Sequence, residues 1–382
     1  MSDVLNVSSY DCACGRTHEL KTEVILNKCA VEKIVEVIAK FFLTGNLAVI
    51  SAKNLESVGD RVEKLLYKSG YTVRKKTVND VSPEEVAASA ESLPECVRYL
   101  VGVGGGTVAD GVRLFAKRRD IPYTLVATSP ASDGYLSSKV HVCGETVRCD
   151  NPDAVIFDTE ILDAAPRVLT AAGYGRAVAQ VVNIFDAEYN RFYKDLSPCP
   201  EVMSALFSEV HHFELEKDKP DFTRRLTELL IKISRADEYL DIDNRAVDSF
   251  ARVLTAEGGR SFGENSMLAA YVVLSLYRCF LASAADDVLL PPDTVKTLKL
   301  LEKCKVIGYN KYIKSYSHYS ETEYLRQAYV LGEYRKDLYF VDLRNRYRQY
   351  GAVLAASLRR RRFLAQGLYV EHAAFEVSVS FG

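Results

Sequence analysis

The chain has 382 residues, 48% of them apolar and 26% charged, with a formal charge of −2. That balance supports a buried core and excludes a disordered or fibrous chain, and at about 150 residues per domain it predicts two to three domains. The near-zero charge removes any global attraction to nucleic acid or to an anionic membrane surface.

The start, Met1 to Cys12, is polar and has no basic segment followed by an apolar one, so no secretory leader is read there. Nine cysteines are an odd number and suit reduced thiols in the cytoplasm better than a disulfide framework. Cys12-Ala13-Cys14 with His18 offers three zinc-type ligands, but no second cysteine pair follows at ribbon spacing, so no metal site is expected. Short runs rich in Val, Ile, Leu and Tyr then predict strands at Leu47–Ser51, Tyr71–Lys76, Tyr99–Val103, Tyr123–Ala127 and Ala154–Phe157. Helices fall between them. One is capped by Asn54 and stops at Gly70; another opens on Ser82-Pro83-Glu84-Glu85, a capping Ser followed by Pro at the first helical position. This alternation predicts a parallel sheet covered by helices on both faces.

Ser138 to Arg148 alternates polar and apolar residues about a Gly144-Glu145 turn and reads as a hairpin inserted after a sheet strand. From about Pro166 strand signals nearly vanish. Helical patterns follow at Leu169–Phe192, Phe222–Tyr239, Asp243–Ala256, Ser266–Ala284 and Asp293–Lys305, broken at Pro198, Pro200, Pro220, Gly258-Gly259 and Pro291-Pro292. Residues 1–165 therefore form an α/β domain and residues 166–382 a helical one. The most apolar stretch, Met267–Ala285, carries Arg278 and reads as a buried helix, so no membrane span is expected. Residues 299–362 hold 15 Lys or Arg against 6 Asp or Glu, with ten tyrosines between Tyr309 and Tyr350. That region reads first as a solvated face, second as a phosphate-binding wall and only third as a nucleic-acid patch. The last residues, Glu371 to Gly382, read as a strand or an ordered tail.

Two loops carry the chemistry. In Val101-Gly102-Val103-Gly104-Gly105-Gly106-Thr107 a buried strand runs into three glycines and a helix start, a turn that lets backbone N–H groups approach a phosphate. It matches neither GxGxxG nor GxxxxGK[ST], and a tight turn without a ligand is the simpler alternative. About twenty residues on, Ala127-Thr128-Ser129-Pro130-Ala131-Ser132-Asp133-Gly134-Tyr135-Leu136-Ser137-Ser138 leaves the end of the next strand with hydroxyls, a carboxylate and a glycine turn. Ligands of open α/β sheets sit at such ends.

GGGTVAD followed by TSPASDGYLSS resembles the sn-glycerol-1-phosphate dehydrogenases, within the larger group of glycerol dehydrogenase, iron-containing alcohol dehydrogenases and dehydroquinate synthase. Ala172-Gly173-Tyr174-Gly175, with Asp186 in register, is similar to the group's next motif, and Cys12 to His18 is similar to the start of bacterial members. The resemblance covers roughly residues 1–190. It implies a dehydroquinate synthase-like fold, α/β plus all-α, with a Rossmann-like N-terminal domain, a helical C-terminal domain and a homodimer. It also implies NADP or NAD as cofactor, with Gly104, Gly105 and Gly106 at the pyrophosphate and Asp110 bracing that turn. Thr128, Ser129 and Ser137 would then face the nicotinamide, and Asp133 a small phosphorylated substrate such as dihydroxyacetone phosphate. At the first sheet strand the family's Asp-Glu-Asn-Thr-like turn reads Ala52-Lys53-Asn54-Leu55, and the change from acid to Lys53 favours a 2′-phosphate and hence NADPH.

The family also places a metal between its domains. Its first ligand, an Asp, is here Arg176; a Lys four residues on is Gln180; and its first His ligand is matched by Asn265 in Gly263-Glu264-Asn265. None of the six histidines (18, 141, 211, 212, 318 and 372) falls in a matching motif. Two expectations follow. Either Arg176 joins Asp133 as a catalytic residue and replaces the metal electrostatically, or the chain is a non-catalytic dinucleotide- or sugar-phosphate-binding relative. A lyase of the dehydroquinate synthase kind is a third reading, weakened by the same missing ligands.

Overall fold

The computed structural model describes residues 3–79, 82–142, 145–193, 199–216 and 219–240, and parts of 245–270. Chain packing divides it into two compact units. The first holds residues 3–170 and 221–239, and the second holds 171–220 with the described residues from Leu240 onward. The segment from Asp221 to Tyr239, read from sequence as part of the helical domain, thus packs with the α/β unit.

The first unit opens on a small antiparallel pair, β1 (Ser9–Asp11) and β2 (Thr17–Glu19), with Tyr10 opposite His18. β3 (Glu23–Asn27), α1 (Ile34–Ala39), β4 (Asn46–Ala52), α2 (Glu56–Lys68), β5 (Thr72–Val78), α3 (Pro83–Ala90), β6 (Tyr99–Gly104), α4 (Gly106–Arg119) and β7 (Tyr123–Ala127) follow. The inserted pair β8 (Lys139–Val142) and β9 (Glu145–Arg148) precedes β10 (Ala154–Asp158). The main sheet has six parallel strands in the order β3-β10-β7-β6-β4-β5. β6, β7 and β10 are buried along their whole length, which is why their sequences are nearly continuous apolar runs. The chain steps from β4 to β5 on one side and then crosses to β6 on the other. The sheet's switch point therefore lies between the carboxyl ends of β4 and β6.

The five strands read from sequence lie within one or two residues of those observed. Sequence periodicity did not identify β1, β2, β3 or α1, because each is short and half-exposed or lacks a full helical repeat. Ser82 caps α3, accepting from the Glu85 N–H at 3.2 Å. Asn54 does not cap α2: it lies inside a 3-10 turn, Lys53–Leu55, and the residue before the helix is Leu55, with no side-chain cap. Glu145 belongs to β9, opposite Val142, rather than to the turn of the hairpin.

One face of the sheet is filled by Ile34, Ile38, Val49, Val62, Leu66, Val101 and Ile156. On α4, Gly111 is required because an added Cβ would run into Val86 of α3, so the two helices touch closely. α8 (Phe222–Leu240) is the last element of this unit, after α5 (Thr159–Asp163), α6 (Arg167–Tyr193) and α7 (Pro200–Glu216) in the chain. It is fastened by Glu238, whose carboxylate accepts from the Ser138 N–H at 2.8 Å, the Ser138 hydroxyl at 2.7 Å and the Asn151 amide at 3.2 Å. At the other end of the chain, Arg235 donates to Leu5 O and the Tyr239 hydroxyl to Val7 O.

Arg113, on α4, is fully buried. Its guanidinium pairs with Asp110 and donates to the Tyr123 hydroxyl at 3.1 Å, Gly134 O at 2.9 Å and Tyr135 O at 3.2 Å. Burial pushes the Tyr123 phenol up to about 12 even beside this cation. The side chain thus joins α4, β7 and the loop after β7.

The second unit is helical. It contains α6 from Ala171, α7, and further helical residues at 247–248, 251–252 and 262–267. A Cβ at Gly175 or at Gly263 would collide with the other helix's backbone, so α6 and the 262–267 helix meet backbone to backbone. Pro200, a break by sequence pattern, is instead the first residue of α7, where its missing N–H costs nothing. The expected helix at Asp293–Lys305, most of Ser266–Ala284, the Tyr-rich basic region and the C-terminal dozen lie outside the described residues. Among the described residues no helix is long and apolar enough to cross a membrane.

Replacing Arg113 with Met should destabilise the α/β unit by about 2–4 kcal/mol, because two buried carbonyls lose their donor and Asp110 and Tyr123 each lose a partner. Urea unfolding followed by circular dichroism measures this. A loss below about 1 kcal/mol would show that the network is not structural.

Candidate functional site

The glycine turn sits at the carboxyl end of β6, on the switch point. Gly104 is dictated by packing, since a Cβ there would lie 2.5 Å from Val108. Gly105 is different. Its φ of −77° is open to any residue, and the nearest atom to an added Cβ is the Ser129 hydroxyl, 3.9 Å away. Among the described residues nothing requires glycine there, and the space beside the backbone is open. Gly105 precedes α4 and has no side-chain cap, so the first amides of the helix keep their donors directed outward. Gly106 faces Ser132, 3.4 Å from an added Cβ.

The loop after β7 lies against this turn. The Thr128 N–H donates to Gly104 O at 3.3 Å, and the Tyr135 hydroxyl reaches both Gly104 O and Ser129 O. Ser129, Ser132 and Asp133 line a small pocket shared with Thr227 and Ser234 of α8, whose remaining lining, including Leu136, Phe157 and Leu230, is apolar. Asp133 is buried there, and the Ser234 hydroxyl is buried with no hydrogen-bond partner among the described residues. A hydroxyl in that condition costs about 1–3 kcal/mol unless a ligand or water meets it. The sequence reading missed α8 as a wall because its Ser and Thr sit within an ordinary amphipathic helix.

The remaining expected residues lie as follows. Asp110 pairs with Arg113 at the base of α4, next to the glycine turn. Lys53 is exposed in the 3-10 turn that leaves β4, across the switch point from Gly104. Ser137 uses its hydroxyl locally, accepting from the Lys139 N–H at 3.0 Å and donating to Lys139 O at 3.3 Å. Gly104, Gly105, Gly106, Thr128, Ser129 and Asp133 are therefore brought to one end of the sheet.

The sequence matches the iron-containing alcohol dehydrogenase family over residues 25–166. Residues 25–166 begin at the first strand of the main sheet and end just before α6. Glycerol-1-phosphate dehydrogenase (NAD(P)+) of Methanosarcina mazei is 30% identical over 176 residues, which are 44% of this chain and 49% of the relative. The Bacillus licheniformis enzyme of the same name is 29% identical over 202 residues, half of each chain. The chain spans about half the length of the curated relatives it matches. Two solved structures share the fold of the dehydroquinate synthase-like group. They are a probable glycerol dehydrogenase from Sinorhizobium meliloti (TM-score 0.63, 15% identity, 94% of this chain and 97% of that one) and a sulfoacetaldehyde reductase from Bifidobacterium kashiwanohense in complex with NAD+ (0.62, 14%, 94% and 98%).

In the helical unit Arg176 is buried. It donates to Asp248 at 2.6 Å and to the Ser266 hydroxyl at 3.1 Å, and lies over the Phe262 ring at 4.8 Å. Arg245 holds the other oxygen of Asp248 at 2.7 Å and reaches Gln180 at 3.3 Å. Burial alone raises the Asp248 pKa, but the guanidiniums of Arg176 and Arg245 outweigh it and hold the carboxyl well below the usual range. Asn265 donates its amide to the Thr255 hydroxyl at 2.9 Å.

Because the folded pKa of Asp248 lies below its unfolded value of about 3.9, its contribution to stability is complete above that pH and is lost as pH falls further. Asp248→Asn should therefore lower the melting temperature at neutral pH and flatten the acid limb below about pH 4. Melting curves at neutral and acid pH check both; equal pH slopes for the two proteins would contradict the assignment.

Proposed function

We propose that this chain binds NADPH at the carboxyl ends of β4, β6 and β7 and passes its hydride to a small phosphorylated ketone of the dihydroxyacetone phosphate kind. The observation that carries this reading is the open space at Gly105, a glycine that the fold does not require, at the switch point of a dehydrogenase-family sheet. The amides of Gly105, Gly106 and Thr107 would hold the pyrophosphate, as uncapped helix starts do. The bound dinucleotide supplies the hydride. Thr128 and Ser129, with the backbone of their loop, would orient the nicotinamide end, and Asp133 with Ser234 would hold the substrate's hydroxyl groups. Lys53, where the family carries an acid, favours the 2′-phosphate and hence NADPH over NADH.

The residues at the resembled metal positions do not suit a divalent cation. Arg176 has no lone pair to offer and carries positive charge, and Asn265 offers only a neutral amide oxygen where the family has an imidazole. No step is therefore routed through a metal. With its charge already paired to Asp248, Arg176 would act by positioning the helices around it rather than as a free electrophile. The same pair favours a second reading, a dinucleotide-binding relative that performs no turnover.

Oxidation of NADPH and NADH with dihydroxyacetone phosphate, with and without EDTA, separates the readings. The first expects turnover that survives EDTA and prefers NADPH. NADPH binding without turnover in any condition would select the second. Gly105→Ala should leave the melting temperature nearly unchanged yet weaken NADPH binding by about tenfold or more, since the open space costs the fold nothing. Unchanged affinity in that variant would remove the phosphate site from the glycine turn.

A further inference from the structure

We propose that the N-terminal β1–β2 hairpin holds a zinc ion through Cys12, Cys14 and His18. The ligand atoms of these three side chains all lie within 4.8 Å of one another. The turn between the strands is built for this. Gly15 takes a left-handed φ of +82°, the Gly15 N–H returns to Cys12 O at 3.0 Å, and the Cys12 N–H donates to Arg16 O at 3.0 Å. The chain thereby curls around the two sulfurs. The Cys14 N–H donates to the Cys12 sulfur at 3.4 Å. The Cys14 sulfur lies 3.5 Å from Nε2 of His18. The pairing of β1 with β2 fixes His18 opposite Tyr10.

Two thiolates and an imidazole select a borderline-soft divalent ion, zinc before magnesium or calcium. None of the three residues belongs to the nucleotide turn or its loop. His18 is buried against the ring of Tyr239, with centroids 5.0 Å apart. Tyr239 follows Glu238, the residue that fastens α8 to Ser138 and Asn151. The ion would thus pin the hairpin to the end of α8, the helix that helps line the Asp133 pocket, and act as a structural clip. A closed structural zinc takes four ligands, so one further donor or a water completes the shell. This site is independent of the proposed catalysis and stands or falls separately from it.

Tag-free full-length protein, expressed with added zinc and dialysed, is expected to carry about one zinc per chain by mass spectrometry of the metal. Cobalt exchanged into the site is expected to give the thiolate-to-cobalt charge-transfer band in the near ultraviolet. Cys12→Ser with Cys14→Ser, and separately His18→Ala, should each lower zinc content about tenfold or more, whereas Cys96→Ser, outside the hairpin, should leave it unchanged. Stripping zinc from wild-type protein with a chelator should lower the melting temperature reversibly, a readout that needs no variant to fold. Protein free of zinc with no cobalt band would overturn the proposal, as would full zinc content in both hairpin variants.

Discussion

A buried guanidinium organises the end of the sheet where the strand order reverses. Arg113 projects from the second turn of α4 into the interior, where leaving any of its donors unmet would be costly. Its partners come from three places: Asp110 on its own helix, the Tyr123 phenol on β7, and two carbonyls of the loop after β7. Because the guanidinium is planar and its donors are fixed in direction, this pairing sets the loop's position relative to α4. The glycine turn at the start of α4 and the wall bearing Ser129 and Asp133 are therefore one rigid piece. Tyr135 adds a second tie, reaching from that loop back to Gly104.

Two features beside this piece are not explained by packing among the described residues. Gly104 and Gly111 are glycines because packing leaves no room for a Cβ. Gly105 has room and remains glycine, and Ser234 has a buried hydroxyl with nothing to meet. Gly105 lies at the switch point, and Ser234 lies on α8 beside the pocket lined by Ser129 and Asp133. A ligand with a phosphate backbone and hydroxyl groups would satisfy both. The helical unit shows the opposite condition at Arg176, where charge, hydroxyl and ring contacts are already supplied by Asp248, Ser266 and Phe262.

Much of the α/β unit was legible in the sequence, because strands buried on both faces appear as unbroken apolar runs and Ser82-Pro83 is a direct helix start. The edge strand β3 and the β1–β2 pair were not, since three to five half-exposed residues carry no period. The membership of α8 in the first unit was also hidden. It depends on Glu238 meeting Ser138, 100 residues away in sequence. Arg113 could have been suspected from its spacing of three from Asp110, but its burial follows only from the fold. For the site, the glycine turn and the Ser129–Asp133 loop were readable as segments, whereas Ser234 and the Asp248 partner of Arg176 were not. The cluster at Cys12, Cys14 and His18 looked too sparse in one dimension and becomes compact only when the hairpin closes.

The central claim is that the turn from Gly104 to Thr107 and the loop from Thr128 to Asp133 form one dinucleotide site. Amide hydrogen exchange of the full chain, with and without saturating NADPH, tests it most directly. The account predicts slowed exchange in peptides covering both segments, together with the turn at Lys53. Binding of NADPH with protection elsewhere and none at these segments would contradict it.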